Sequence, residues 1–422
     1  MVMSGQVVGT VLAFGALSLN TRALGPSALG VLFLIQATCE LTSKVLAFQN
    51  WQMMIKFGAE AQRLGDGPQL KAIWRFGFML DVIAAAAAAA VAAALFLAAP
   101  GLIGLDAETG SHALFYAASL LFAASGTSTG ALRLLDRFGL AVATNLVMAG
   151  LLLVNAAILY LAAAPLWVYL VAIPAISAST SLFVIVAGYR RVCNVADGLQ
   201  AASGPGHRET SRRNMFRFAI GVSATSTLTA FRQRGELLIV GGILGPSAAA
   251  LFGVAYRISA LIARFGEAGR QSVYPEIAKL VADGAVREAA ELAFRLSRLG
   301  MVLAVPGIAV LAIYGTDILV FLFGSEFAAA YPNLMLLGIG TAFYVAIFPL
   351  GPMVQIALGA GRYLAITAVG FLGFVLLACL GPLLFGIHGA GAGRIGNTIV
   401  VGFLSYMQIK RRLRRERIQA PA

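Results

Sequence analysis

Long apolar segments recur from one end of the 422-residue chain to the other. A helix needs about 20 consecutive apolar residues to cross a bilayer. Hydropathy picks out twelve such segments: 2–20, 27–48, 76–99, 112–130, 139–163, 165–188, 215–242, 246–265, 299–323, 332–356, 363–386 and 389–409. Twelve spans consume roughly 240 residues and leave about 14 for each connection, so no separate soluble domain is expected. The composition agrees. Only 12% of residues are charged and 59% are hydrophobic, whereas soluble domains carry about 25% charged residues. A soluble enzyme, a disordered chain and a secreted disulfide scaffold are excluded. The first segment is not expected to be a cleavable signal, because it lacks a basic start and runs into Asn20, Thr21 and Arg22.

Basic residues give the topology. Connections after even-numbered segments, with the segment edges beside them and the C-terminal tail, hold 25 of the 31 Lys and Arg residues. Connections after odd-numbered segments hold one, Arg22. A wrong span count would scramble that alternation. The positive-inside rule therefore predicts twelve spans with both termini cytoplasmic. It also accounts for most of the net charge of +13 without any nucleic-acid partner. The tail from Lys410 to Arg417 reads as an anchor beside the anionic headgroups of membrane lipids. The polar stretch 191–214 divides the chain into halves, 1–190 and 215–409, leaving a basic tail at 410–422. A second polar connection, 266–298, carries a helical stretch from Ala285 to Leu299. The run Ala84 to Ala90 reads as a close-packing helix face.

One short motif occurs twice. Leu24-Gly25-Pro26-Ser27-Ala28 returns as Leu244-Gly245-Pro246-Ser247-Ala248, each copy in a short turn between two spans. Six spans separate the copies, so the halves share one orientation. That is a parallel repeat about an axis along the membrane normal. The expected fold is an all-α polytopic membrane protein of about twelve transmembrane helices, in two six-helix bundles enclosing a cavity. At this offset Met1 aligns with Gly221, while the seventh span begins near Phe216, so the first span is expected to start upstream of Met1.

Ionisable groups inside spans are costly and face a cavity or a partner. Arg257 stands near the middle of the eighth segment, about 15 Å from either end, too deep to snorkel to water. It reads as a cavity-lining anion site, with a structural pair to a carboxylate of another helix as the alternative. Arg232 and Glu236 lie four apart and are expected to share a face, either as an ion pair or as substrate contacts, with Arg234 on another side. Glu40 and Lys44 are also four apart. Lys44 is expected near the cytoplasmic end, and Glu40 deeper, where it pairs with Arg257 or accepts a proton. Arg22 marks the outer mouth of the first span. Asp81, Asp317 and Arg394 read as helix-end groups, with Arg394 also a cavity candidate. Cations outnumber carboxylates in this set, which suits an anionic, pyrophosphate-bearing substrate, because guanidinium forks match phosphate oxygens. Pro349, Gly351 and Pro352 are the hinge candidates, with a static kink as the alternative.

No enzyme is expected. The loops lack a DxD pair, a GxSxG elbow, a P-loop and an HExxH motif, and the outer loops are too short for a catalytic domain. Cys39, Cys193 and Cys379, and His112, His207 and His388, are dispersed without metal-ligand spacing, so neither a metal nor a cofactor is expected.

Several stretches resemble a known family. They are Arg22-Ala23-Leu24-Gly25-Pro26 followed by Ala28-Leu29-Gly30; Gln49-Asn50-Trp51-Gln52 with Lys56-Phe57-Gly58; and Glu236-Leu237-Leu238 with Gly242, Leu244-Gly245 and Ala255-Tyr256-Arg257-Ile258. Tyr274-Pro275-Glu276, and Gly324-Ser325-Glu326-Phe327 with Ala330, continue the series. In order and spacing they resemble the polysaccharide transporter branch (O-antigen and oligosaccharide flippases) of the multidrug/oligosaccharidyl-lipid/polysaccharide (MOP) exporter superfamily. The resemblance implies flipping of undecaprenyl-pyrophosphate-linked oligosaccharide across a bacterial inner membrane by alternating access, for lipopolysaccharide, capsule or exopolysaccharide assembly. The polymerase and chain-length proteins of that pathway are the partners it implies. It also implies cavity roles for Arg22, Arg257 and Glu40, which match the arginines on spans one and eight and the acid on span two of lipid II flippases. A drug/cation antiporter of the same superfamily, and a membrane enzyme of glycan assembly (polymerase or ligase), are the alternative readings.

Overall fold

The computed structural model describes residues 2–136, 138–199 and 212–419. Among these the only regular elements are helices. That follows from the solvent: hydrocarbon offers no partner for peptide N–H and C=O groups, and a helix satisfies them internally. Packing divides the chain into two units, Met1–Leu238 and Ile239–Ala422.

The first unit contains α1 (Val2–Leu46), α2 (Asn50–Arg63), α3 (Gly67–Ala98), α4 (Ala107–Ser119), α5 (Gly126–Leu134), α6 (Phe138–Leu161), α7 (Leu166–Gly198) and α8 (Arg212–Ala230). A π-helical turn, Phe231–Gly235, then leads into α9 (Glu236–Leu244). The long helix α1 packs against α6 and α3, and α8 packs against α1 and α2. One end of the unit is closed by Met53, Met54, Leu70, Ile73, Trp74 and Val192, all at most 6% exposed. In α3, Ala84, Ala85, Ala88, Ala89 and Ala92 are buried, which is the packing face expected of the alanine run.

The second unit contains α10 (Pro246–Ala282), α11 (Val286–Phe323), α12 (Tyr331–Ile347), α13 (Leu350–Ala357), α14 (Ala360–Phe385) and α15 (Ala392–Gln419). Here α12 packs on α10, α11 and α15, and α14 lies along α15. Its core at one end includes Ile277, Ala290, Leu350, Met353 and Val354.

Each of the twelve apolar segments is occupied by helix. Eight stretches among the described residues are individually long and apolar enough to cross a membrane. The differences from twelve have physical causes. The first two segments follow one another without a loop inside Val2–Leu46, as two helices separated only by the non-helical backbone of Gly25. Segment 112–130 is broken by a 3₁₀ turn at Leu120–Phe122 between α4 and α5. Segment 215–242 is interrupted by the π turn with its two arginines, and segment 389–409 joins Arg394 to a basic end. The stretch from Ala285 to Leu299 is the start of α11 itself, and α10 extends to meet it, so 266–298 is mostly helix. The basic tail likewise continues α15 as far as Gln419. Of the connection expected at 191–214, residues 191–198 continue α7 and 212–214 open α8, while 200–211 lie outside the described residues.

The repeated motif has the same backbone in both copies. Gly25 adopts φ 65°, ψ 178°, and Gly245 adopts φ 86°, ψ 176°. Only glycine tolerates that region. The proline that follows has its φ preset for the first helical position and has no N–H to leave unpaired. The motif is therefore a tight helix-to-helix turn.

Candidate functional site

Two opposite charges of the first unit meet between α1 and the π turn. Arg234 Nη2 lies 2.6 Å from Glu40 Oε2, with the two side chains 27% and 42% exposed. Along the helices, Glu40 is about 22 Å from the Gly25 bend and Arg234 about 17 Å from the Gly245 turn, at 1.5 Å per residue. Against a hydrocarbon thickness of about 30 Å, both groups lie inside the hydrocarbon layer rather than at its edge. A charge pair at that depth is retained where it faces partners or a water-filled space. Its partial exposure leaves oxygen and guanidinium surface for a ligand.

The π turn explains why Arg234 reaches α1. In an α-helix residues 232 and 236 share one face. A π turn closes i→i+5 bonds and inserts extra width, shifting the side chains after it, and such bulges are common at functional sites. Here it carries Arg232 and Arg234. Arg232 is half-buried, and Glu236, the first residue of α9, is only 1% exposed. Arg22 is exposed just before the bend of α1, and Lys44 is exposed in its last turn.

The second unit holds Arg257 and Arg394. Arg257 is half-buried on α10, about 17 Å from its start. Arg394 is the third residue of α15, where the helix dipole disfavours a cation. The ring of Tyr256 compensates: Arg394 Cζ lies 4.4 Å from its centroid. Tyr256 in turn stacks on Phe252 at 6.3 Å. Arg394 is thus a held cation beside the residue preceding Arg257. The hinge candidates fall at a real helix break, with α12 ending at Ile347, Pro349 capping α13, and Gly351 and Pro352 in its first turn.

One group carries more than its sequence position suggested. Asp81 is buried in α3 and joins three helices. Its Oδ1 accepts from Asn50 Nδ2 at 2.8 Å and its Oδ2 from the Thr127 backbone N–H at 2.7 Å. It therefore ties the starts of α2 and α5 to α3, rather than ending a helix. Nothing in the local sequence marks Asn50 or Thr127 as its partners, because both lie more than 25 residues away. Outside the spans, Asp106 caps α4 by accepting from the Thr109 N–H at 2.8 Å, and hydrogen bonding to Thr109, through its side chain first and its backbone second, holds the carboxyl below the usual carboxylate range. Among the described residues no three His, Cys, Asp or Glu side chains converge as a metal-holding group.

The chain and its fold have known relatives. A sequence profile described as "Polysaccharide biosynthesis protein" matches residues 19–332. The inner membrane protein YghQ of Escherichia coli K12 is 31% identical over 137 residues, which is 32% of this chain and 39% of that protein. The chain thus matches well under half the length of that relative. Among solved structures, an inward-facing multidrug resistance MATE family transporter of the MOP superfamily superposes with a TM-score of 0.71 at 13% identity, over 100% of both chains. The lipid II flippase MurJ in an inward closed conformation gives 0.69 at 11% identity, over 97% of this chain and 87% of that one. The fold is that of the MOP superfamily.

Proposed function

Because the chain belongs to the polysaccharide biosynthesis protein family, we propose that it flips undecaprenyl-pyrophosphate-linked oligosaccharide repeat units across a bacterial inner membrane. The single observation that carries this reading is the excess of arginine over carboxylate at membrane depth. Arg232, Arg234, Arg257 and Arg394 are spread over both units, with Arg22 and Lys44 toward the ends of α1. Guanidinium groups match pyrophosphate oxygens in geometry and charge. In this reading the halves 1–190 and 215–409 alternate access to the substrate, and the lipid tail stays in the bilayer. The half-exposed Glu40–Arg234 pair exchanges partners as pyrophosphate arrives. Pro349, Gly351 and Pro352 supply the bend, and the distribution of Lys and Arg puts both termini in the cytoplasm. Polymerase and chain-length proteins of the same pathway receive the product, and the chain performs no covalent chemistry.

A second reading, a drug/cation antiporter, draws on the MATE likeness and on the acids Glu40, Asp81 and Glu236. One experiment separates them. In a deletion strain, a membrane-impermeant glycan probe on spheroplasts reports which side holds the lipid-linked oligosaccharide. Flippase function predicts accumulation on the inner side, rescued by the wild-type chain and not by an Arg257→Ala variant that still inserts. Full outer-side labelling without the protein, together with new drug sensitivity, would establish the antiporter instead.

A further inference from the structure

A cavity of about 590 Å³ opens within the first unit, where the turn after α5 meets the start of α6 and the end of α7. Leu132, Asp136, Leu140, Arg190, Arg191 and Asn194 line it. No feature of the proposed flipping reaction uses it.

Its depth is set by helix geometry. Arg190 comes 24 residues after the start of α7 at Leu166, about 36 Å along the helix axis. That exceeds a hydrocarbon thickness of about 30 Å and puts the mouth at the level of the headgroups. The polar groups are held but unspent. Arg191 is fixed by two bonds, from Nε and Nη2, to the Leu135 carbonyl at 3.3 Å. Arg190 and Asp136 are exposed and make no ion pair with a described residue. Asp136 is held at φ 56°, a left-handed conformation that few non-glycine residues adopt.

The walls are apolar and lead into the bilayer. Ala143 also lines the cavity, and the same face of α6 continues through Val147, Leu151 and Val154, which are 57%, 44% and 56% exposed. On α7 the lining Ala187 is followed one turn deeper by Phe183, 53% exposed. A soluble phosphate would use the arginines and leave these strips unused. A glycerophospholipid uses both. Among the described lining residues two arginines stand against one carboxylate, which favours an anionic headgroup. Asp136 and Asn194 are positioned to accept from headgroup hydroxyls.

We infer that this cavity holds the headgroup of an acidic phospholipid of the phosphatidylglycerol type, its phosphodiester against Arg190 and Arg191 and its acyl chains along α6 and α7. Basic pockets between transmembrane helices recognise headgroups in this way. The inference is independent of the transported substrate.

The test uses the full-length protein in mild detergent and native mass spectrometry. Phosphatidylglycerol is titrated against phosphatidylcholine with identical chains, and against inorganic phosphate. Retention of phosphatidylglycerol over phosphatidylcholine by about fivefold is expected, the scale of one arginine at a headgroup. Arg190→Gln, which sacrifices no internal bond, should abolish that preference. Leu140→Trp, which fills the cavity and leaves its charge intact, should abolish it too. Arg298→Gln, an exposed cation of the second unit, should leave it unchanged. Equal retention of the two lipids, persistence of the preference in Arg190→Gln or Leu140→Trp, an equal loss in Arg298→Gln, or displacement of the lipid by inorganic phosphate would each overturn the assignment.

Discussion

The Glu40–Arg234 pair is the interaction whose removal should be most informative. The charged atoms lie 2.6 Å apart, which places the charge centres about 4 Å apart. At an effective dielectric of about 20, two unit charges at that separation attract by about 4 kcal/mol. The side chains are 27% and 42% exposed, so screening cuts the net coupling to about 1–2 kcal/mol, above the surface median and below that of a sealed pair. A double-mutant cycle isolates this quantity. Glu40→Gln, Arg234→Gln and the double variant are purified, and each is unfolded by SDS titration in mixed micelles. Each single variant should lose about 1–2 kcal/mol, and the double variant little more than either alone, because the second substitution finds its partner already gone. The exchanged pair Glu40→Arg with Arg234→Glu should recover part of the loss. If the single losses simply add to within about 0.3 kcal/mol, the two charges are not coupled and the contact is incidental. That result would also remove the π turn's role in aiming Arg234 at α1.

Gly245→Ala should destabilise by about 1–3 kcal/mol and lower the thermal unfolding temperature in detergent, because a methyl group at φ 86° is strained. No atom lies within 4 Å of the added carbon, so a neutral outcome would refute the backbone argument alone. Gly25→Ala should behave alike if the two copies of the motif are equivalent. Asp81→Asn turns one acceptor into a donor facing Asn50 Nδ2 or the Thr127 N–H, and should cost about 1–3 kcal/mol by the same unfolding assay; unchanged stability would show that neither bond matters. Asp106→Ala should fray the start of α4 and cost about 1 kcal/mol. Since the carboxyl is held below its usual range in the folded state, the cap's contribution is complete above about pH 4 and fades as pH falls through the lowered value. Hydrogen exchange at Thr109 should therefore be slow at neutral pH and accelerate in acid relative to the variant; parallel pH profiles would refute the cap.

Much of the architecture is written in contiguous residues. The apolar segments, the packing face of Ala84 to Ala90 and the Gly-Pro turns at 25–26 and 245–246 are legible because hydropathy and backbone sterics are local properties. Glycine followed by proline admits one turn wherever it occurs between two apolar runs, so two copies of the motif specify two copies of the bend. Charge asymmetry is local too, and so the membrane class and the cationic character of the spans can be read directly.

The partners of the charges are not local. Glu40 had Arg257 and Lys44 as candidates on spacing alone, and only packing brings Arg234 to it, through a π turn that breaks the 3.6-residue register on which facing arguments rest. Asp81 reads as a helix-end group until Asn50 and Thr127 arrive from α2 and α5. Arg394 needs the ring of Tyr256 to sit at a helix start. The cavity between Asp136 and Arg190 exists only because the turn after α5 lies against the far end of α7. Sequence determines what each segment can bury. Which of several equally charged groups meet is decided by tertiary packing, because many pairings satisfy charge and only one also fills space.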